Sequence, residues 1–240
     1  KNYMKTKILA IFACLLWGSA FAGAKIGFEY TTPLHLSGMR FMLAGLLLIP
    51  FLIYQKIDWI SNLKEWRYML LFGFLQTFIQ YGFFFMGLNK VPAAISAIII
   101  GGGPFFVAVM AHFTMGNDRM SFRKILAIVL GMAGIVFISF AKGGSIHTDA
   151  SFYYGVILLI ISNIVGASTN IIVAKNRNKV SPVMLTAFAN FSGGLILYIV
   201  SFFTEDWYVK PYSLEFYIAW IWLALIPAVG FSIWYSLLKR

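Results

Sequence analysis

Residues 93–115 read AAISAIIIGGGPFFVAVMAHFTM, 23 positions without an Asp, Glu, Lys or Arg. Wound as an α-helix at about 1.5 Å per residue, the stretch is about 35 Å long and outspans the roughly 30 Å hydrocarbon core of a bilayer. Only Pro104 and the three glycines before it punctuate the run. Membrane helices accept such punctuation where the backbone is buried in protein or lines a cavity. Working outward, apolar blocks of similar length recur at 8–28, 34–54, 66–88, 122–141, 152–174, 182–203 and 216–238. Eight helices account for most of the chain, and connections such as 29–33 and 116–123 leave no room for a soluble domain. The fold expected is an all-α, polytopic membrane helix bundle.

Composition agrees. Of 240 residues 60% are hydrophobic and 11% charged, with mean hydropathy +0.83, whereas soluble domains carry about 25% charged residues. One cysteine, Cys14, excludes an internal disulfide or a CxxC site. The net charge of +11 does not point to nucleic acid, because the cations are scattered between apolar blocks rather than massed on one face. Their scatter reports topology instead. With the amino terminus in the cytoplasm, fourteen of the 19 Lys and Arg fall in inside segments (Lys1, Lys5, Lys7; Lys56, Lys64, Arg67; Arg119, Arg123, Lys124; Lys175, Arg177, Lys179; Lys239, Arg240). Only Lys90, Lys142 and Lys210 fall outside, and Lys25 and Arg40 lie within spans. This is the positive-inside bias of a multi-pass membrane protein. The Ala20-Phe21-Ala22 triplet imitates a signal-peptide cleavage site. The apolar run continues through Phe28, and the charge alternation needs this helix as its first crossing, so it is expected to stay.

A shift of 149 places lays Pro33 on Pro182, Gly45 on Gly194, Leu46 on Leu195, Tyr68 on Tyr217, Leu88 on Leu237 and Lys90 on Lys239. Five helices per copy is an odd number, so the second copy enters the membrane from the opposite side, the inverted-topology repeat of many transporters. The expected organisation is a first repeat of five helices over 1–141 and a second, inverted repeat over 152–240. That second repeat holds three helices and reads as truncated, two short of a full copy.

The chain resembles EamA-type transporters of the drug/metabolite transporter superfamily. The resemblance rests on Leu16-Trp17-Gly18-Ser19-Ala20-Phe21 with Lys25, and on Arg40-Phe41. It rests also on Gly87-Leu88-Asn89-Lys90-Val91-Pro92-Ala93-Ala94-Ile95-Ser96-Ala97, Gly103-Pro104-Phe105-Phe106 and Gly131-Met132-Ala133-Gly134-Ile135. Relatives often carry Gly-Glu-Arg after the fourth helix, where this chain has Gly116-Asn117-Asp118-Arg119. The resemblance implies ten helices in two inverted repeats, and export or exchange of small metabolites, often amino acids, across the bacterial inner membrane.

All eight acidic residues lie in loops or at helix ends, Glu29 nearest to lipid, so no intramembrane carboxylate offers itself as a proton or sodium carrier. His112, near the inner end of helix four, reads as an interfacial residue. Lys25 reads as a snorkelling cation or a charged substrate contact. Arg40 lies deeper and needs a partner, whether Glu29, freed helix carbonyls or a substrate carboxylate. Uncharged polar residues outline a binding region better. Gln76 and Gln80 share a face of helix three, with Thr77 and Tyr81 on the adjoining stripe. Asn163, Gly166 and Asn170 fall at i, i+3 and i+7 in helix six, and Thr186 and Asn190 four apart in helix seven. Amides of this kind bind substrate or join helices together. Pro104 and Pro227, each near mid-span, mark interrupted helices, which point to the site in repeat transporters. Trp17 is placed on the same cavity, while Trp59, Trp66 and Trp207 sit at helix ends as interface anchors.

The function expected is transport, by alternating access, of a small neutral or zwitterionic metabolite, with an amino acid the leading class. The contacts are Trp17, Gln76, Gln80, Tyr81, Pro104, Asn163, Asn170 and Asn190. An anion exchanger of the sugar-phosphate or nucleotide-sugar type would set Lys25 and Arg40 on the substrate, and a nontransporting membrane partner is a further alternative. No HExxH, GxSxG, paired aspartates or His/Cys cluster lies in the spans, so no enzyme, catalytic residue, metal or cofactor is expected. The partners are the small-molecule substrate and membrane lipid, with the oligomeric state left open.

Overall fold

The structure is a computed structural model that describes residues 2–115, 149–176, 178–206, 208 and 210–238, with isolated positions between 121 and 133. Among the described residues it is helical: α1 (Asn2–Phe28), α2 (Pro33–Leu47), α3 (Ile49–Tyr54), α4 (Trp59–Leu63), α5 (Trp66–Gly73), a π-helical stretch (Phe74–Gln80), α6 (Tyr81–Lys90), α7 (Ala93–Gly101), α8 (Gly103–Thr114), α9 (Ala150–Lys175), α10 (Pro182–Thr204) and α11 (Leu214–Leu238). Seven spans among them are long and apolar enough to cross a bilayer, and their limits fall within a few residues of the predicted blocks. Apart from those isolated positions, the predicted fifth span, 122–141, lies outside the described residues, as does the Gly116-to-Arg119 departure.

Three spans depart from plain α-helix. The second bends at Leu48, where Pro50 occupies the first turn of α3, since proline cannot continue the hydrogen-bond ladder of α2. The fourth breaks at Gly102 into α7 and α8, Pro104 standing in the first turn of α8. Pro104 has no N–H for the Ile100 carbonyl, and three preceding glycines let the chain turn there. Pro227 lies inside α11 without interrupting it, although the sequence reading placed the two prolines together as helix breakers; Ala224, Leu225 and Ile226 precede it where Pro104 has three glycines. The third span passes from α5 through seven π-helical residues into α6.

The chain divides into two compact units, residues 1–78 with 173–240 and residues 79–172, the boundary falling inside the π-helical stretch. In the first unit α2 and α10 form the central pair. Glycines let their backbones touch, the usual device where lipid removes any hydrophobic drive to pack. A Cβ on Gly38 would stand 2.6 Å from Tyr198 N, and one on Gly45 would stand 2.8 Å from Ala187 O and 2.7 Å from Phe191 Cβ. Numbers fall along α10 as they rise along α2, so the helices are antiparallel. On the other side of the contact, a Cβ on Gly194 would stand 2.7 Å from Met42 N and 3.1 Å from Gly38 O. Adding 149 to Gly45, Gly38 and Met42 gives Gly194, Ala187 and Phe191, so the contact maps onto itself.

The N-terminus of α2 is finished from a distance. Thr32 is extended, as the residue before a proline must be, and its side chain makes no capping bond. Instead the carboxylate of Glu205, just past α10, accepts from Leu34 N at 2.9 Å and His35 N at 3.3 Å. It thereby meets two of the free N–H donors of the first turn, where Pro33 has none, and the positive end of the helix dipole. Beside it the buried His35 ring lies 4.7 Å from Tyr198, with Nδ1 3.3 Å from Ser201 Oγ.

In the second unit α6 packs on α9 through another glycine pair: a Cβ on Gly87 would stand 2.8 Å from Gly155 O, and one on Gly155 would stand 2.7 Å from Val91 Cγ2.

Candidate functional site

The second unit gathers most of the predicted contact residues. Gln80 ends the π-helical stretch, and its side-chain amide lies flat on α9 where Gly166 leaves room. A Cβ at 166 would stand 2.6 Å from Gln80 Nε2 and 2.9 Å from its Cδ. One turn earlier on α9, Ser162 donates its hydroxyl to the Gln80 backbone carbonyl at 2.9 Å. Gln80 is thus held at both ends by one face of α9, while its buried Oε1 has no hydrogen-bond partner among the described residues. Tyr81 follows at the start of α6, its ring 5.7 Å from Phe84 and edge-on to it.

On the same face of α9, Asn163 serves the broken helix. Its Nδ2 donates to the Ile99 carbonyl at 2.5 Å, and its Oδ1 would stand 3.3 Å from a Cβ on Gly103. A helix cut inside a membrane must have its loosened carbonyls met by protein, and Asn163 meets one of them. Asn170 Nδ2 and Thr169 Oγ1 both donate to the Gly166 carbonyl at 2.9 Å. The i, i+3, i+7 face is therefore a continuous polar track, with Gln80 and the break at Pro104 against it.

Trp17, Gln76 and Asn190 belong to the first unit. Trp17 packs its indole on α11, against Phe231 (5.7 Å between centroids) and Trp234 (5.6 Å). Its Nε1 is buried without a partner among the described residues. Gln76 and Thr77 are buried, 5% and 0% exposed, and a Cβ on Gly193 would collide with Thr77 Cβ and stand 2.5 Å from Gly73 O. Asn190 is 1% exposed, with Nδ2 unmet among the described residues. Thr186, its neighbour on that face, turns its hydroxyl back to Pro182 O at 2.8 Å.

Arg40, the deepest cation, is 2% exposed, and its guanidinium lies 4.2 Å above the Phe41 ring. Lys25 is half-buried in the last turn of α1, 5.9 Å from the Phe28 ring. His112 is exposed and edge-on to Phe113. Among the described residues no group of three His, Cys, Asp or Glu is placed to hold a metal ion.

Sequence reasoning missed Ser162, although it adjoins Asn163 and stands four residues before Gly166. It missed the π winding as well, a feature that recurs at functional sites. FLQTFIQ carries no proline or glycine to announce it.

Seven apolar spans, a helix broken at a proline and a polar track facing the break define a multi-pass membrane transporter of helical type. Residues 4–140 match the EamA-like transporter family, and the chain belongs to that family. "Uncharacterized transporter YvbV" of Bacillus subtilis is 25% identical over 234 residues, 97% of this chain and 75% of the relative. A "Probable amino-acid metabolite efflux pump" of Escherichia coli is 29% identical over 133 residues, 55% of this chain and 42% of the relative. A solved crystal structure shares the fold at TM-score 0.82 and 18% identity, covering 99% of this chain and 80% of its own.

Proposed function

We propose that this transporter carries a small neutral or zwitterionic metabolite, an amino acid by class, across the bacterial inner membrane by alternating access, with its amino terminus in the cytoplasm. The observation that carries the reading is the polar track of Gln80, Ser162, Asn163 and Asn170 laid against a helix broken at Gly102. Neutral amides and carbonyls hold a polar solute without the desolvation cost of a fixed charge, so the solute can also be released. The relative named as an amino-acid metabolite efflux pump supports the class of substrate.

Two inverted repeats, 1–141 and 152–240, are the moving parts of this reading. The self-mapping contact of α2 and α10 supports them, because a twofold axis across an antiparallel pair produces an isologous contact. So does a second pair. Trp17 lies on Gly230 in the first unit and Gly166 on Gln80 in the second. Trp17 and Gly166 are 149 apart in sequence, Gln80 and Gly230 150 apart.

Counterflow in proteoliposomes tests the proposal: amino acids are loaded unlabelled, and entry of each labelled form is followed for wild type and Gln80→Ala. Saturable exchange weakened by the substitution is expected. Exchange of sugar phosphates or nucleotide sugars alone would overturn the substrate class.

A further inference from the structure

Gln80 is unusual among the polar groups of the second unit, because its amide is fixed in place and its acceptor is unused. Gly166 admits the amide plane, Ser162 holds the backbone behind it, and Oε1 is buried without a partner among the described residues. The side-chain donors around it each already give one hydrogen elsewhere: Asn163 Nδ2 to Ile99 O, and Asn170 Nδ2 and Thr169 Oγ1 to Gly166 O. Two side-chain oxygens here can accept from a solute. Gln80 Oε1 is one, and Asn163 Oδ1, about one helical turn along α9, is a second.

The charge balance points the same way. Lys90 is the only Lys or Arg among the described residues of this unit. It stands ten residues beyond Gln80, about 15 Å along the helix, with Nζ 3.5 Å from Ser151 Oγ and 5.7 Å from the Tyr154 ring centroid. Neutral acceptors, with the nearest cation among the described residues of this unit so far off, disfavour an anionic group. They suit a group that only donates and carries positive charge.

We propose that Gln80, backed by Gly166, holds a protonated primary amine, the ammonium end of the solute. This rests on the transport reading above and deepens it by naming the chemical group that the second unit reads. A hydrogen bond to a charged group contributes more than one between neutral groups. The amine should therefore be the dominant determinant of affinity on this side.

The test uses purified protein and four probes of one shape: L-phenylalanine, phenethylamine (no carboxylate), hydrocinnamate (no amine) and N-acetyl-L-phenylalanine (amine blocked). Binding is read by titration of intrinsic fluorescence and by thermal shift, and exchange by counterflow. Wild type should bind the two amine-bearing probes about tenfold or more tightly than the other two, the scale of one charge-assisted hydrogen bond. Gln80→Leu should remove most of that preference, and Gly166→Ala, which drives a methyl into the amide, should do the same. Gln80→Glu, of equal volume, should sharpen it. Lys90→Ala should leave it unchanged. Equal affinity of wild type for phenethylamine and hydrocinnamate, or a preference intact in Gln80→Leu, overturns the inference. Amine-selective binding without counterflow overturns only the transport reading, and counterflow without amine selectivity overturns only this one.

Discussion

Substituting alanine at Gly45 or Gly194 puts the same methyl into the same helix contact from its two sides. At Gly45 the new Cβ would stand 2.7 Å from Phe191 Cβ and 2.8 Å from Phe191 N and Ala187 O, and at Gly194 2.7 Å from Met42 N and 2.9 Å from Phe41 Cβ. Ordinary contacts of a Cβ begin near 3.4 Å, so either substitution must part α2 and α10 by about 0.7 Å, an overpacking that typically costs about 1–3 kcal/mol. Backbone atoms stand in the way in both cases, so no rotamer change relieves the clash and the upper half of that range is expected. Because the contact maps onto itself, the two costs should be similar. The double variant supplies the sharper check. Once one methyl has parted the helices, the second enters a gap already open, and the pair should cost clearly less than the sum. Reversible unfolding by SDS titration in mixed micelles, followed by tryptophan fluorescence, measures all three. Additive costs, or one substitution neutral while the other is severe, would refute the paired-contact reasoning.

Other expectations follow from single contacts. Glu205→Gln keeps the shape of the distant cap on α2 but weakens its hold on Leu34 N and His35 N, at about 0.5–1 kcal/mol in the same titration, less at high salt because the charge on the helix end is lost. Asn163→Ala strips a donor from the Ile99 carbonyl; a cost of about 0.6–2 kcal/mol is expected, with faster hydrogen exchange confined to residues 99–105. Pro104→Ala restores an N–H for Ile100, and slowed amide exchange across 100–104 with weakened counterflow would show that proline maintains the break. Trp222→Phe removes the 2.9 Å bond from its Nε1 to Ser19 Oγ, which joins α1 to α11, and a loss beyond about 2 kcal/mol would mean that the indole does more than this one bond accounts for.

The spans were legible because lipid leaves one economical reading for an uncharged apolar block of twenty residues. The shared face of Asn163, Gly166 and Asn170 was legible in their helical spacing, but that Gln80 lies against it was not. Pro104 foretold the break, but the proline alone did not decide it: Pro227 leaves α11 continuous, and the glycines at 101–103 make the difference. Two features could not be read. The π winding at 74–80 is a choice of hydrogen-bond partner, i to i+5 in place of i+4, that no residue type enforces. The cap on α2 comes from Glu205, which the sequence places in another loop, and nothing local at Thr32 names its remote partner.

That cap has a consequence for how the protein is made. The carboxylate that completes α2 lies 171 residues downstream of Leu34, and the glycine contacts of α2 are likewise with α10. A ribosome adding 5–20 residues per second needs roughly ten to thirty seconds to cover that distance. Through that interval α2 has neither its cap nor its principal neighbour, and this is when an insertion factor or chaperone has most to shield.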